Sequence, residues 1–435
     1  MFLQHLRIEN CRSLHDIEID FTTADQTKPT RKWSVLVGEN GTGKSTLLKA
    51  IGLLTVGSNG LSLVLGDPRS WVRLGKPECC ISGTLVTKRG EIREISLTIG
   101  REDSLSDVIK RNDASLRQLD RALEHEDINY FVVGYGPYRH VAEENDSHFR
   151  SRGSDSRSNP RAHCVRTLFD KSEVMNPLAS WAMRLDYNRG EEGLSVVREA
   201  MDTLLPGVGF LGIDREHETL MFSTPDGEVE LNGLSDGYQN VAAWIGDLLF
   251  QVTRNFDHYK DPLSARGLLL IDEIDAHLHP VWQRSLRQYL DAKLPNLQII
   301  ASTHSALTLQ QFSEDEAFIL RRRDTGVELE PLGVDPNRLR LHQLYDLAFG
   351  IETFDSLVVE RSKAIIRGEP SSSPLRGPAS GEELTEEKAR QILEESSSTR
   401  SSKDAALGNE SLASYFEKLD SVEQALRLRK TDERE

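Results

Sequence analysis

The chain has 435 residues, 38% hydrophobic and 28% charged, the make-up of a soluble protein with apolar side chains enough for a sizeable core. Asp and Glu number 69 against 53 Lys and Arg, so the net charge is −16; this excludes a protein that coats nucleic acid by bulk positive charge and leaves room only for a local basic groove. The cysteines Cys11, Cys79, Cys80 and Cys164 form no C-x-x-C pair, no apolar run reaches the ~18 residues of a membrane span, and Met1–Asn10 does not read as a signal peptide, which together predict a reducing cytoplasm and no membrane partner.

Leu3–Glu9 and Ile17–Phe21 read as strands flanking Asn10-Cys11-Arg12-Ser13. Trp33–Val37 is an apolar, β-branched run suited to a buried strand, and Ser45–Leu54 follows as a helix. Ser82–Val86 and Glu91–Ile99 are further strands around a Lys-Arg-Gly turn. The adjacent Cys79 and Cys80 are expected to be small buried apolar residues. Leu105–Leu123 has helical apolar spacing, and Tyr130–Gly134 is another short buried strand.

Glu143–Arg161 is polar, Ser/Arg-rich and nearly free of aliphatics. It reads as a solvated loop, or as a basic segment that touches DNA through Arg150, Arg152, Arg157 and Arg161. Val165–Leu205 is mostly helical, Phe210–Ile213 and Thr219–Ser223 are strand-like, and Tyr238–Thr253 is a helix. Gly267–Ile271 and Leu297–Ser302 are aliphatic strands on either side of a helix at Val281–Leu294. This alternation predicts an α/β fold with a mainly parallel sheet. Beyond about Gly350 the chain turns polar, with Ser-rich gaps at Pro370–Ala379 and Ser396–Lys403 and short helices around Thr385–Glu394 and Leu412–Leu428. Residues 1–350 are therefore expected to form a head, with a helical lobe inserted at approximately 140–255, and residues 351–435 a helical tail.

The strongest chemical signal is Gly38-Glu39-Asn40-Gly41-Thr42-Gly43-Lys44-Ser45-Thr46, which fits G-x-x-x-x-G-K-S/T between a buried strand and a helix. Its glycines let backbone N–H groups turn toward phosphate oxygens at a helix N-terminus. Lys44 would reach the β- and γ-phosphates of ATP, the Ser45 hydroxyl would bind Mg²⁺, and Thr46 would meet the α-phosphate. The second signal is the strand Gly267–Ile271 running into Asp272-Glu273. Acids at a strand's carboxyl end lie where α/β sheets bind ligands. Asp272 would hold Mg²⁺, and Glu273 would orient and deprotonate the attacking water. The third is Leu231-Asn-Gly-Leu-Ser235-Asp-Gly237-Tyr-Gln, whose Ser235 and Asp236 alone would simply start a helix. The fourth is Ser302-Thr303-His304-Ser305 at the end of a buried strand, where a lone histidine could be a satisfied core residue.

All four in this order, with the opening Leu6-Arg-Ile-Glu-Asn-Cys-Arg-Ser13, GENGTGKST, LSDGYQ, Asp272-Glu-Ile-Asp-Ala-His-Leu-His-Pro280, Trp282-Gln283 and Leu297-Gln-Ile-Ile-Ala-Ser-Thr-His304, resemble the ATP-binding-cassette ATPases of the SMC/RecF/OLD branch. The nearest resemblance is to the prokaryotic proteins called AAA family ATPase or predicted ATP-binding protein involved in virulence, which are linked to anti-phage defence. It covers roughly Met1 to Phe312. It implies a P-loop ATPase head with a mixed or parallel sheet, and a head-to-head dimer or higher oligomer that sandwiches two ATP molecules. Lys44, Ser45, Asp272, Glu273 and His304, the last as a sensor of the γ-phosphate, would act in cis; Ser235 and Gly237 would act in trans. Asp275 matches a position that communicates across the dimer. Arg12 is either near nucleotide or DNA or a plain surface-turn arginine. The glutamine that such ATPases place near Mg²⁺ is missing from the stretch Tyr130–Tyr138, and Arg139, just after it, is a candidate nucleotide contact.

No heptad pattern persists between Lys44 and Ser235, so no long coiled-coil arm is expected. Nor does any acidic cluster after His304 resemble a TOPRIM nuclease. The expected function is ATP hydrolysis that regulates a separate effector, a nuclease or toxin, in a defence or DNA-maintenance system. The alternative is a nucleotide-gated sensor or clamp for DNA or a phage protein, with slow resetting hydrolysis. A transporter subunit fits less well, since LSDGYQ departs from the transporter-type LSGGQ.

Overall fold

The computed structural model describes residues 1–23, 29–87, 90–124, 131–141, 164–175, 178–205, 207–217, 219–255, 265–324, 326–350 and 390. The chain divides into two units, Met1–Ile351 and Glu352–Glu435, and all elements named below belong to the first. Glu143–Arg161, with its four arginines, and the tail segments lie outside the described residues, apart from Arg390.

In chain order the strands are β1 Phe2–Cys11, β2 Leu14–Asp20, β3 Trp33–Gly38, β4 Glu78–Val86, β5 Ile92–Gly100, β6 Val132–Tyr135, β7 His140–Val141 and β8 Val174–Met175. They continue with β9 Gly209–Asp214, β10 Thr219–Thr224, β11 Gly227–Glu230, β12 Gly267–Ile271, β13 Leu297–Ser302, β14 Ala317–Arg323 and β15 Gly326–Pro331. Ten of them form one mixed sheet in the order β5-β4-β1-β2-β15-β14-β3-β13-β12-β6. Its β14-β3-β13-β12-β6 half is parallel, and its β5-β4-β1-β2 half is antiparallel. The antiparallel pair β14–β15 joins the two halves.

Alternation along the central strands divides the core between the two faces of the sheet. On β3 and β12, Trp33, Val35, Val37, Leu269 and Ile271 enter one cluster with Trp181, Trp244 and Leu290 from surrounding helices. Leu36, Leu268 and Leu270 enter the other with Leu47 and Ile51 of helix α1, Lys44–Thr55. All residues of β3, β12 and β13 are buried, as their unbroken apolar runs require when helices cover both faces.

Several expected elements are subdivided. The helical stretch at 105–123 breaks at Asn112, whose side chain bonds the backbone of Thr98 in β5 and the Val108 carbonyl instead of solvent. The stretch at 165–205 holds three helices, Arg166–Phe169, Leu178–Arg189 and Glu191–Leu204, with β8 between the first two. Val281–Leu294 splits into Pro280–Gln283 and Leu286–Lys293. Cys79 is buried as expected, whereas Cys80 is half-buried. Strands β14 and β15 have no counterpart in the sequence reading. Only four residues of β14, Ala317–Leu320, are buried before three arginines follow, too short a run to announce a strand.

Candidate active site

The parallel strands β3, β13, β12 and β6 end on the same edge, and each leads into a segment of the candidate site. Beyond β3 the backbone takes positive φ at Gly38, Gly41 and Gly43 (136°, 77° and 100°), a path open to glycine at little cost. Gly43 then caps α1, whose first-turn N–H groups have no intrahelical acceptors. A Cβ on Gly43 would lie 2.7 Å from Leu14 and 2.8 Å from the Ser13 hydroxyl, so the turn between β1 and β2 braces the loop. On its outer side the Arg322 guanidinium donates to the Gly41 carbonyl at 3.0 Å.

Lys44 is 6% exposed, and its ammonium donates to the carbonyls of Gly38 (2.8 Å) and Glu39 (2.9 Å). Burial lowers its pKa, while Asp272, Glu273 and Glu39 favour its charge. Thr42 is buried and donates to the Glu39 carbonyl at 2.9 Å, closing the loop from within. Gly38 has the least freedom to change. Besides its φ of 136°, a Cβ there would sit 2.3 Å from the Leu320 carbonyl oxygen of β14. Gly38→Ala is therefore expected to push β14 away, cost about 2–4 kcal/mol in chemical denaturation and impair nucleotide binding; wild-type stability and affinity would contradict this geometry.

Across the loop, Asp272 is 2% exposed. One carboxylate oxygen accepts from the Ser302 hydroxyl at 2.6 Å, and the same hydroxyl accepts from the Glu273 N–H at 2.8 Å. The Asp272 N–H donates to the Tyr135 carbonyl at 2.8 Å, and the Ile274 N–H to the Ser302 carbonyl at 2.9 Å. Glu273 is a non-glycine residue at φ 50°, so its side chain leaves the strand in a direction that the surroundings must enforce. Asp275 accepts a short hydrogen bond from the Thr303 hydroxyl, which ties the acidic turn to the His304 segment.

His304 is half-buried, and its pKa is lowered by burial and then by Lys44, which favours the neutral ring. Its ring lies 6.3 Å from that of Phe349, near the end of the helix Leu341–Phe349. At the end of that helix, Gly350 approaches the Glu39 carboxylate: a Cβ on it would lie 3.4 Å from that oxygen. Lys44, Asp272, Glu273 and His304 feel one another's charge, so the structure brings the expected catalytic set together.

Ser45 and Thr46 are half-exposed in the first turn of α1. Ser235 is exposed, Gly237 faces the His277 carbonyl, and Tyr238 packs edge-on against Trp282 at 4.5 Å. Among the described residues no hydrogen bond or ion pair joins Ser235 or Gly237 to residues 38–46. Arg12 lies over Trp71 at 3.8 Å and donates to the Ser70 carbonyl at 2.9 Å. Arg139, the candidate nucleotide contact, donates to the carbonyls of Asp272 and Glu273. The roles of Ser302 and Phe349 were not legible in sequence. A serine at a strand end and an aromatic in a helix carry no local chemical pattern.

The site fits a nucleoside triphosphate with a hard divalent cation. The glycine-bent loop, the open donors of the first turn and Lys44 suit phosphate oxygens. The Ser45 hydroxyl and the second oxygen of Asp272 are ligands of the type Mg²⁺ takes, with phosphate oxygens and water completing its shell. Among the described residues no group of three or more His, Cys, Asp or Glu offers an all-protein metal cage, and no helix is long and apolar enough to cross a membrane.

Two relatives and one solved structure illustrate the similarity. Septu protein PtuA of Bacillus mycoides (strain KBAB4) is 27% identical over 325 residues, 73% of this chain but only 40% of that protein. Retron Vc95 probable ATPase of Vibrio cholerae serotype O1 biovar El Tor is 24% identical over 388 residues, 74% of this chain and 75% of that protein. The SmcHead bound to the C-winged helix domain of ScpA is 13% identical and aligns over 76% of this chain and 97% of its own, with a TM-score of 0.44. The family model described as AAA domain, putative AbiEii toxin, Type IV TA system matches residues 34–310, more than half of the chain, which therefore belongs to that family.

Proposed function

We propose that the chain is an ABC-type ATPase that hydrolyses ATP between two copies of itself and thereby regulates a separate effector, such as a nuclease or toxin, in a cytoplasmic prokaryotic defence system. The observation that carries this reading is the convergence of Lys44, Asp272, Glu273 and His304 on one sheet edge while Ser235 stays exposed. Lys44 and the N–H groups of residues 41–45 bind the phosphates. Ser45 and Asp272 hold Mg²⁺, which neutralises phosphate charge when bound. Glu273 orients the attacking water and takes its proton, and neutral His304 donates its ring N–H to the terminal phosphate. Ser235 and Gly237 of one copy complete the site of the other. Residues 1–350 act as the head, and residues 351–435 as the tail that docks the effector. Names of the relatives, a Septu protein and a retron probable ATPase, support a defence role.

The test is to incubate the purified full-length chain with ATP and Mg²⁺ and follow phosphate release and molar mass by light scattering. Turnover together with ATP-dependent dimerisation is expected. A chain that neither hydrolyses ATP nor changes mass, alone or with the product of a neighbouring gene, would sink the reading.

A further inference from the structure

Arg139 lies just past β6, the strand beside β12. It is 5% exposed, and no carboxylate comes within ion-pair distance of it among the described residues. One terminal nitrogen of its guanidinium donates to the Asp272 carbonyl at 3.0 Å and the Glu273 carbonyl at 2.7 Å. The guanidinium carbon lies 5.8 Å over the ring of Trp244. Burial pushes its pKa down to about 10, while Asp275, Asp272 and Glu273 hold it up, so the group stays charged at neutral pH. Burying an arginine without an ion pair is costly; here one terminal nitrogen is satisfied by two backbone oxygens, while the buried Nε finds no acceptor among the described residues.

Those oxygens belong to residues whose geometry determines where the Glu273 carboxylate points. Past the end of β12 the chain leaves the ladder, and buried carbonyls without a ladder partner need a donor. The N–H groups of Asp272, Glu273 and Ile274 are taken by Tyr135 and Ser302, the Asp272 carbonyl by Arg139, and the Glu273 carbonyl by Arg139 together with the Ala276 N–H at 2.9 Å. Glu273, at φ 50°, is thus clamped from both sides.

Resting on the hydrolysis reading above, we infer that Arg139 is a positioning residue for Glu273: it acts through the carbonyls of the acidic turn and touches no nucleotide. Arg139→Met keeps an unbranched apolar stem, two atoms shorter, and removes the charge and donors; Arg139→Lys keeps the charge and loses the fork. For Met, kcat should fall about 10- to 100-fold while KM and the affinity for a fluorescent ATP analogue stay within about 3-fold, and Lys should recover part of the loss. Hydrogen exchange of the amides of residues 272–276 should quicken in Met, with α1 and β13 unchanged. A drop in nucleotide affinity as large as the drop in kcat would overturn the inference, as would wild-type kcat and exchange in Met. If the wild-type chain itself hydrolyses no ATP, the hydrolysis reading fails separately, and wild-type exchange over residues 272–276 in Met still overturns the clamp. Should Met not fold, the Lys variant is judged by the same affinity and exchange criteria.

Discussion

Glu273→Gln is expected to slow ATP turnover by about 10²- to 10⁴-fold, the range over which a general base contributes, while leaving nucleotide binding intact. The substitution preserves shape. The Glu273 N–H still donates to Ser302, and its carbonyl still accepts from Arg139, so the side chain leaves the backbone in the same direction. Only the ability to take a proton from water is lost. Lys44, the phosphate loop and Asp272 are untouched, so bound ATP should persist and the two-copy state should accumulate. Phosphate release and light scattering in the presence of ATP and Mg²⁺ measure both effects. Turnover at the wild-type rate would remove Glu273 from the chemistry.

Lys44→Ala is expected to weaken ATP binding by about two orders of magnitude, close to the most that a charged hydrogen bond contributes. The Lys44 ammonium is nearly enclosed, with the carbonyls of Gly38 and Glu39 as its hydrogen-bond partners. Such a charge is costly to bury, and a bound polyphosphate would offset that cost. Truncation should therefore leave thermal stability little changed while affinity for a fluorescent ATP analogue collapses. Equal affinity in variant and wild type would mean that phosphates do not bind at this loop. The two variants separate the roles on the site: loss of chemistry with binding kept at Glu273, loss of binding at Lys44.

Segments whose chemistry is local can be read directly from the residues. A glycine-bent loop needs glycines at fixed spacing, and a buried parallel strand needs an unbroken aliphatic run. The loop at Gly38–Thr46, the strand that delivers Asp272 and Glu273, and the strand that ends at His304 were therefore readable before any fold was known. What holds those groups in place emerges only once the chain is folded. Arg139 bonds the carbonyls of residues far along the chain, Ser302 spans from β13 to Asp272 and Glu273, and Phe349 meets His304 from the helix Leu341–Phe349. Strands β14 and β15 became strands because β3 and β2 supplied edges for them to pair with. Every peptide unit carries the same carbonyl, so no residue pattern marks which one a distant guanidinium will reach. That choice is made by packing, when the strand order brings β6 beside β12.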